Sequence, residues 1–377
     1  MIKNKENAPI IIELIGMGAK KYGGLEKFIV EECRQLKEKG IGLLVVFAVE
    51  PICKSYIADL ENLGAEWVVL PFTSNLSYYK RIGQMIKSRN VLAIHKNFGQ
   101  KNIWALIAAK QLGVKYRIST EHCLPDMSRI GAIGYYNLEL PFCTEKLCVS
   151  KTTAEAFLHA PLIYKNKITT EYLGVSDFFF DKIEMQRKYG LDHNVVNIAN
   201  VAYHNPIKGV DVLLMAVKIL VDRYKADNFR IIQIGGGQNA KQTEDLHALE
   251  QQLGISKYVN WMGVTDYVPE ILSACDVYTQ PSRSEGIPLS IMEASLASLP
   301  TAASRVGGIV ESVVDGKTGI LCNTEDPDAL ADILYKLITD SGLRKSMGDN
   351  ARMHALAYFD LRRNVSKLLK HYGVDKI

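Results

Sequence analysis

No stretch of this 377-residue chain approaches the run of about twenty apolar residues that a membrane-spanning helix needs. The apolar run at residues 8–12 is cut by Glu13, which suits a first strand better than a leader peptide. Seven cysteines (33, 53, 123, 143, 148, 275 and 322) form an odd set without a CxxC pair, and no His or Cys cluster has zinc-ligand spacing. Neither a disulfide framework nor a structural metal is expected, and the cysteines read as reduced thiols of a cytoplasmic protein. GxGxxG with an acidic residue about twenty positions on is missing, which argues against a nicotinamide-dependent oxidoreductase. Interleaved basic and aromatic residues are missing too, so nucleic acid is not an expected partner. Repeats and low-complexity segments are absent.

Nearly half of the residues are hydrophobic, and the length suffices for two domains with separate cores. The net charge of +4 is unevenly spread: residues 1–175 hold 23 Lys and Arg against 16 Asp and Glu, and the remainder 22 against 25. A basic first half is usually a solvated face, but it would also favour an anionic acceptor or peripheral contact with an anionic membrane.

Strands and helices alternate along the chain. Apolar strands are expected at 10–15, 42–49, 66–70, 91–95, 116–120, 146–150 and 168–172, with helices between them. After Gly174 the alternation restarts with strands at 195–201, 230–234, 259–262, 277–280, 300–303 and 320–322. This pattern predicts an α/β protein of two Rossmann-like, doubly wound parallel-sheet domains. The expected limits are 1–175, 176–355, and a C-terminal helical segment 356–377 that returns to the first domain. Ligands of such sheets sit beyond the C-terminal strand ends.

The richest candidate positions lie at those ends. The first strand runs into GMGAKKYGGLE, where Gly16, Gly18, Gly23 and Gly24 permit close backbone approach. His95 and His122 follow strands, and either could orient a hydroxyl or be satisfied by backbone. In the second half, Lys208 precedes a helix and could reach a phosphate or simply face solvent. A GGGQ loop with Gly235 and Gly236 follows the next strand. Asp326 and Asp328 form a DxD triplet, but with Pro327 between them they read as a helix start rather than a metal site.

One stretch stands apart. PSRSEGIPLSIMEA, residues 281–294, lies between a strand and an apolar helix, with Glu285 and Glu293 bracketing seven residues. Free N–H groups and the positive dipole end at a helix start suit a phosphate, and carboxylates bind sugar hydroxyls. Alone, the stretch could equally be a solvated loop with surface glutamates.

Together with VNWMGVTDYVPEILSACDVYTQPS, EGIPLSIMEASLASLPTAAS and VGGIVESVVDGKTGIL, this stretch resembles the retaining glycosyltransferases of family 4, which carry an E-x7-E motif and the GT-B fold. The likeness is nearly continuous over residues 195–340. It is looser in the first half, through GGLEKFIVEECRQLKEKG, STEH, CVSK and LGVSDFF. The resemblance implies two Rossmann-like domains facing a cleft. Glu293 would hold the ribose of a nucleotide-sugar donor and Glu285 would face the transferred sugar. Backbone amides of Gly286, Ile287, Pro288 and Leu289 would receive the sugar and diphosphate. Lys208 would neutralise the departing diphosphate, Gly23 and Gly24 would close over it, and His122 would lie near the reacting sugar. Gly235, Gly236 and Val264 complete the implied donor site, with catalysis assigned to His122, Lys208 and Glu285.

The chain departs from the family at one place: the arginine expected five or six residues before the lysine is replaced by Ala202 and Tyr203. Lys208 would then hold the diphosphate with less help, with His204 or Arg305 as the candidates to add to it. The implied activity is metal-independent hexosyl transfer with no cofactor, from a UDP-sugar in preference to a GDP- or ADP-sugar. The acceptor would be a sugar, a lipid-linked carrier in surface polysaccharide synthesis, or a small soluble molecule. A non-catalytic sugar-nucleotide-binding subunit, a phosphorylase and a sugar-phosphate synthase are the alternatives on this fold.

Overall fold

The computed structural model describes residues 8–19, 21–237 and 239–376. Lys20 and Gln238, each inside a glycine-rich loop noted above, and residues 1–7 lie outside the described residues. The chain divides into two compact units, one of residues 1–175 with 361–377, the other of residues 176–360.

In the first unit the described strands are β1 (Ile10–Ile15), β2 (Gly42–Phe47), β3 (Glu66–Val69), β4 (Val91–Lys96), β5 (Tyr116–Glu121), β6 (Glu145–Cys148) and β7 (Ile168–Thr170). They form one parallel sheet in the order β3-β2-β1-β4-β5-β6-β7. β1, with the sequence IIIELI, shows why the sheet is covered on both faces: every one of its residues is buried. Successive strand residues point to opposite faces. Ile11 and Ile15 accordingly join Phe28, Tyr56 and Val365 on one side, while Ile10, Ile12 and Leu14 join Ile82 and Leu106 on the other. Glu13 shares the parity of Ile11 and Ile15 and is wholly buried. The helix Leu361–His371 packs on that same side, with Leu361, Val365, Leu368 and Leu369 in the core beside the helix Gly24–Glu38.

In the second unit the strands are β8 (Val196–Val201), β9 (Phe229–Ile234), β10 (Val259–Gly263), β11 (Val277–Gln280), β12 (Thr301–Ser304) and β13 (Gly319–Cys322). They too pair in parallel, in the order β10-β9-β8-β11-β12-β13. Strand order reverses between β1 and β4 in one sheet and between β8 and β11 in the other, the points where doubly wound sheets open a crevice for ligands. The expectation of two Rossmann-like parallel sheets is met. The helix after β9 begins at Ala240 because Asn239 caps it, its side chain accepting from the Gln242 N–H.

Candidate functional site

The second unit concentrates its polar groups beyond β8 and β11. After β8 the chain makes a single 3-10 turn, Pro206–Lys208, in which the Asn205 side chain accepts from the Ile207 N–H at 3.0 Å. Gly209 then takes a left-handed conformation, φ +67°, and opens the helix Val210–Asp222. A Cβ at Gly209 would lie 1.9 Å from the carbonyl oxygen of Pro281, so only glycine lets this turn lie against the loop after β11.

That contact brings Lys208 to Glu285. The ammonium donates to both carboxylate oxygens, at 2.8 and 2.9 Å. Ser282 Oγ at 2.7 Å and Gln280 Nε2 at 3.0 Å donate to the same oxygen, Oε1. Gln280 in turn accepts from the Tyr278 hydroxyl at 2.5 Å and the Ser290 hydroxyl at 3.3 Å. The Glu285 side chain is 7% exposed and that of Lys208 28%, so the ammonium is the outward half of the pair. Burial raises the pKa of Tyr278, and the Glu285 and Glu293 carboxylates push it the same way, which locates Glu293 near this network. Glu293 itself is half-buried within the helix Leu289–Leu296.

Two glycines after β12 hold the Glu285 backbone. A Cβ on Gly307 would stand 1.8 Å from the Glu285 carbonyl oxygen, and one on Gly308 would stand 2.1 Å from that of Gly286. The Gly308 N–H donates to the Gly286 carbonyl at 2.9 Å. The VGG triplet thus clamps the loop that leads into the helix Leu289–Leu296. Gly235, Gly236 and Val264 form the neighbouring corner. Gly235, at φ +136°, has its Cα against the Ala202 carbonyl and donates to the Gly263 carbonyl at 2.8 Å, while Gly236 accepts from the His204 N–H at 3.0 Å. The Val264 side chain comes near Gly236, 3.1 Å from where a Cβ would stand.

The two candidates named for the place of the missing arginine both engage other protein groups. His204 is buried with Nδ1 2.8 Å from Thr243 Oγ1 and its ring edge-on to Trp261, and burial lowers its pKa. Arg305 is ion-paired with Asp315. The guanidinium that does engage the Lys208 turn is Arg283, which the sequence reading passed over. It donates to the Pro206 carbonyl, to Asp211 at 3.0 and 2.7 Å, and to Glu325 at 3.0 Å, while its own N–H donates to the Ile207 carbonyl at 2.7 Å. Only its place in PSRSEG hinted at this, because Asp211 is 72 positions away. Asp326 caps the helix Pro327–Thr339 by accepting from the Ala329 N–H, and Asp328 pairs with Arg223, as a helix start and not a metal pair requires. No group of His, Cys, Asp or Glu suited to a metal ion occurs among the described residues.

In the first unit, Gly23 caps the helix Gly24–Glu38, its N–H donating to Glu26 Oε2 at 3.0 Å. His122 follows β5 with its ring stacked on Phe98, centroids 4.4 Å apart, and Nε2 2.8 Å from Asn97 Oδ1. Desolvation, then the neighbouring His95, Lys146 and Lys96, push His122 down to about 3, so its imidazole is neutral at pH 7. His95 is buried and fully occupied, by Glu13 and Tyr372 at Nδ1 and by Thr120 at Nε2. Its partners are buried side chains and not the backbone groups considered above. The sequence also concealed a buried ionic cluster: Lys96 and Lys146 both bind Glu139, at 2.6 and 3.1 Å, and Lys146 also binds Glu121 at 3.1 Å.

Two parallel-sheet units with a lysine–glutamate pair at the switch point of the second define an α/β protein of the GT-B fold class. A solved structure of Anabaena HepE in complex with UDP-glucose overlays with a TM-score of 0.81 at 19% identity, covering 96% of this chain and 99% of that one. Residues 181–354 match the family model of the glycosyl transferases group 1. The chain is similar to the D-inositol 3-phosphate glycosyltransferase of Stackebrandtia nassauensis, 26% identical over 94% of this chain and 88% of that protein. The Corynebacterium urealyticum protein of the same name is 33% identical, but over only 46% of this chain and 42% of its own length. No described helix is long and apolar enough to cross a membrane.

Proposed function

We propose that this protein transfers a sugar from a nucleoside diphosphate sugar, UDP-linked in preference to GDP- or ADP-linked, to an acceptor hydroxyl with retention of anomeric configuration. The observation that carries the reading is the Lys208–Glu285 pair held by glycine contacts ahead of the helix Leu289–Leu296, inside the family-matched segment. Residues 176–360 would hold the donor and the first unit the acceptor.

The bond that breaks joins the anomeric carbon to the diphosphate. The bond that forms joins that carbon to the acceptor oxygen on the same face, and the acceptor proton passes to the departing diphosphate. Charge grows on the diphosphate oxygens as the bond lengthens, and donors fixed beforehand act most strongly there. Lys208 spends two of its three N–H donors on Glu285, which leaves one for a phosphate oxygen. Glu285 and Glu293 supply acceptors for sugar and ribose hydroxyls, and the free amides at the helix start add dipole stabilisation. Neutral His122 can exchange a hydrogen bond with a sugar hydroxyl without adding charge. No step calls for a metal.

HepE was captured with UDP-glucose, which favours uridine. The relatives named for inositol 3-phosphate favour a small anionic acceptor, in keeping with the basic first unit, over the surface polysaccharide or lipid-linked carrier also considered. Such an enzyme would work in the cytoplasm. A thermal-shift series with UDP-, GDP- and ADP-sugars tests the reading: a ligand at a hundred times its Kd stabilises by about 2.7 kcal/mol. A UDP-sugar should give the largest shift, and no shift with any of them would overturn the donor assignment.

A further inference from the structure

A chain of hydrogen bonds runs from the C-terminal segment to His122 through the interior of the first unit. Tyr372 is fully buried and its hydroxyl donates to Glu13 Oε1 at 2.7 Å. The same oxygen lies 2.7 Å from His95 Nδ1, and His95 Nε2 lies 2.6 Å from Thr120 Oγ1. The other oxygen, Oε2, accepts from Asn97 Nδ2 at 2.5 Å. Asn97 then presents its carbonyl oxygen to His122 Nε2 at 2.8 Å.

As placed, the side chains allow the following pattern of donors, with Tyr372 Oη also 2.7 Å from His95 Nδ1 and Glu32 hydrogen-bonded to Glu13. Burial pushes Glu13 up to about 8 and His95 down to about 4, so at pH 7 the carboxyl holds a proton and the imidazole is neutral. With that proton on Oε1 it is donated to His95 Nδ1, and His95 then donates from Nε2 to Thr120. Glu13 Oε2 then accepts, and Asn97, as the structure places it, turns its NH2 to Glu13 and its carbonyl to His122. A carbonyl can only accept, so His122 must carry its hydrogen on Nε2. Among the described residues none hydrogen-bonds to His122 Nδ1, which therefore keeps an open lone pair.

We propose that Glu13 and Tyr372 are positioning residues that act through Asn97 to fix His122 as the Nε2–H tautomer, so that its Nδ1 can accept a hydrogen bond from a substrate hydroxyl. Which ring nitrogen carries the proton is set by the hydrogen bond the other atoms make, so a group three links away can decide it. The segment after residue 360, separated from the rest of its unit by the whole second unit, thereby reaches the chemistry of the first. The kinetic part of this inference rests on the proposed transfer reaction; the tautomer does not.

The test is long-range 15N–1H correlation on the full chain labelled with 15N-histidine, with His122 assigned by its loss in His122→Gln. At pH 7 the expected spectrum shows a protonated Nε2 and a bare Nδ1. A protonated Nδ1 would overturn the proposal, whether or not the protein transfers sugar. In the second arm, Asn97→Leu, Glu13→Met and Tyr372→Phe should leave the His122 tautomers mixed. They should also lower kcat about tenfold or more, with the donor KM within about twofold. Glu13→Gln, which presents the same acceptor to Asn97 and donor to His95, should restore the single tautomer. Variants that fold, mix no tautomers and keep kcat would refute the positioning role. If Glu13→Met fails to fold, Tyr372→Phe and the wild-type spectrum still decide. A wild-type chain with the expected tautomer but no transfer from any donor would defeat the transferase reading alone.

Discussion

Removing Lys208 separates what the Lys208–Glu285 pair does for the fold from what it does for a ligand. In Lys208→Met, Glu285 Oε2 loses its one hydrogen-bond partner among the described residues, while Oε1 keeps Ser282 and Gln280. Breaking a fully buried ion pair costs about 3 to 5 kcal/mol, because the surviving charge stays desolvated. Here the lysine side chain is 28% exposed, so water can enter behind it, and a loss of about 2 kcal/mol is expected. Glu285→Gln in the same background removes the stranded charge and should return most of that loss, giving a coupling energy of at least about 1 kcal/mol in a double-mutant cycle. Transfer should behave differently. Loss of one preorganised donor to a developing oxyanion is worth about 3 kcal/mol, or more than a hundredfold in rate, and Glu285→Gln should not restore it. Urea unfolding and initial rates on the four proteins of the cycle provide the assay. Activity that recovers with stability would refute the reasoning, since it would mean that Lys208 serves only to neutralise Glu285.

Gly307→Ala should destabilise the chain by about 3 kcal/mol or more and abolish donor-induced thermal shifts, because its Cβ would sit 1.8 Å from the Glu285 carbonyl oxygen at φ +50°. Arg283→Lys should raise the donor KM while leaving the unfolding midpoint nearly unchanged. A lysine cannot hold the Pro206 carbonyl, Asp211 and Glu325 together, yet Arg283 is a surface-accessible group; an unaltered KM would show that the Lys208 turn holds itself. Acid should unfold the first unit below pH 4.5. Lys146 and Lys96 overcome desolvation to hold Glu139 down at about 2 against 4.5 when unfolded, so its stabilisation, about 3 kcal/mol, is present above pH 4.5 and lost toward pH 2. His95 and His122, depressed by burial from 6.5 to about 4 and 3, lose stability as pH falls from about 6.5 to those values, a loss that begins above pH 4.5. Glu13, raised to about 8, changes stability only between pH 4.5 and 8, where its contribution is lost as pH rises, so below pH 4.5 it opposes nothing. A urea midpoint that held steady from pH 4.5 to 3 would contradict this.

The sheets were legible because their strands are short, continuously apolar and spaced by helices, which two-sided burial in a parallel sheet demands. The loop from Glu285 to Leu289 was legible for a local reason, two carboxylates flanking a helix start. What escaped the sequence was set by distance along the chain. Arg283 reads as a surface residue until Asp211 and the Pro206 carbonyl close on it. Lys96 and Lys146 read as solvated until Glu139 meets them in the interior. His204, close in sequence to the missing arginine, was carried into the interior by its place after β8, where Thr243 and Trp261 receive it. Tyr372 is separated from Glu13 by 359 positions, and no local pattern joins them.

The central claim is that residues around Lys208 and Glu285 hold a nucleotide sugar for transfer with retention. Proton NMR of the reaction with an α-linked UDP-sugar, an inositol phosphate acceptor and excess EDTA tests it most directly. The account predicts an α-anomeric signal in the product, formed at an undiminished rate with EDTA and lost in Lys208→Met. A β-anomeric product, or a reaction that stops when EDTA is added, would contradict it.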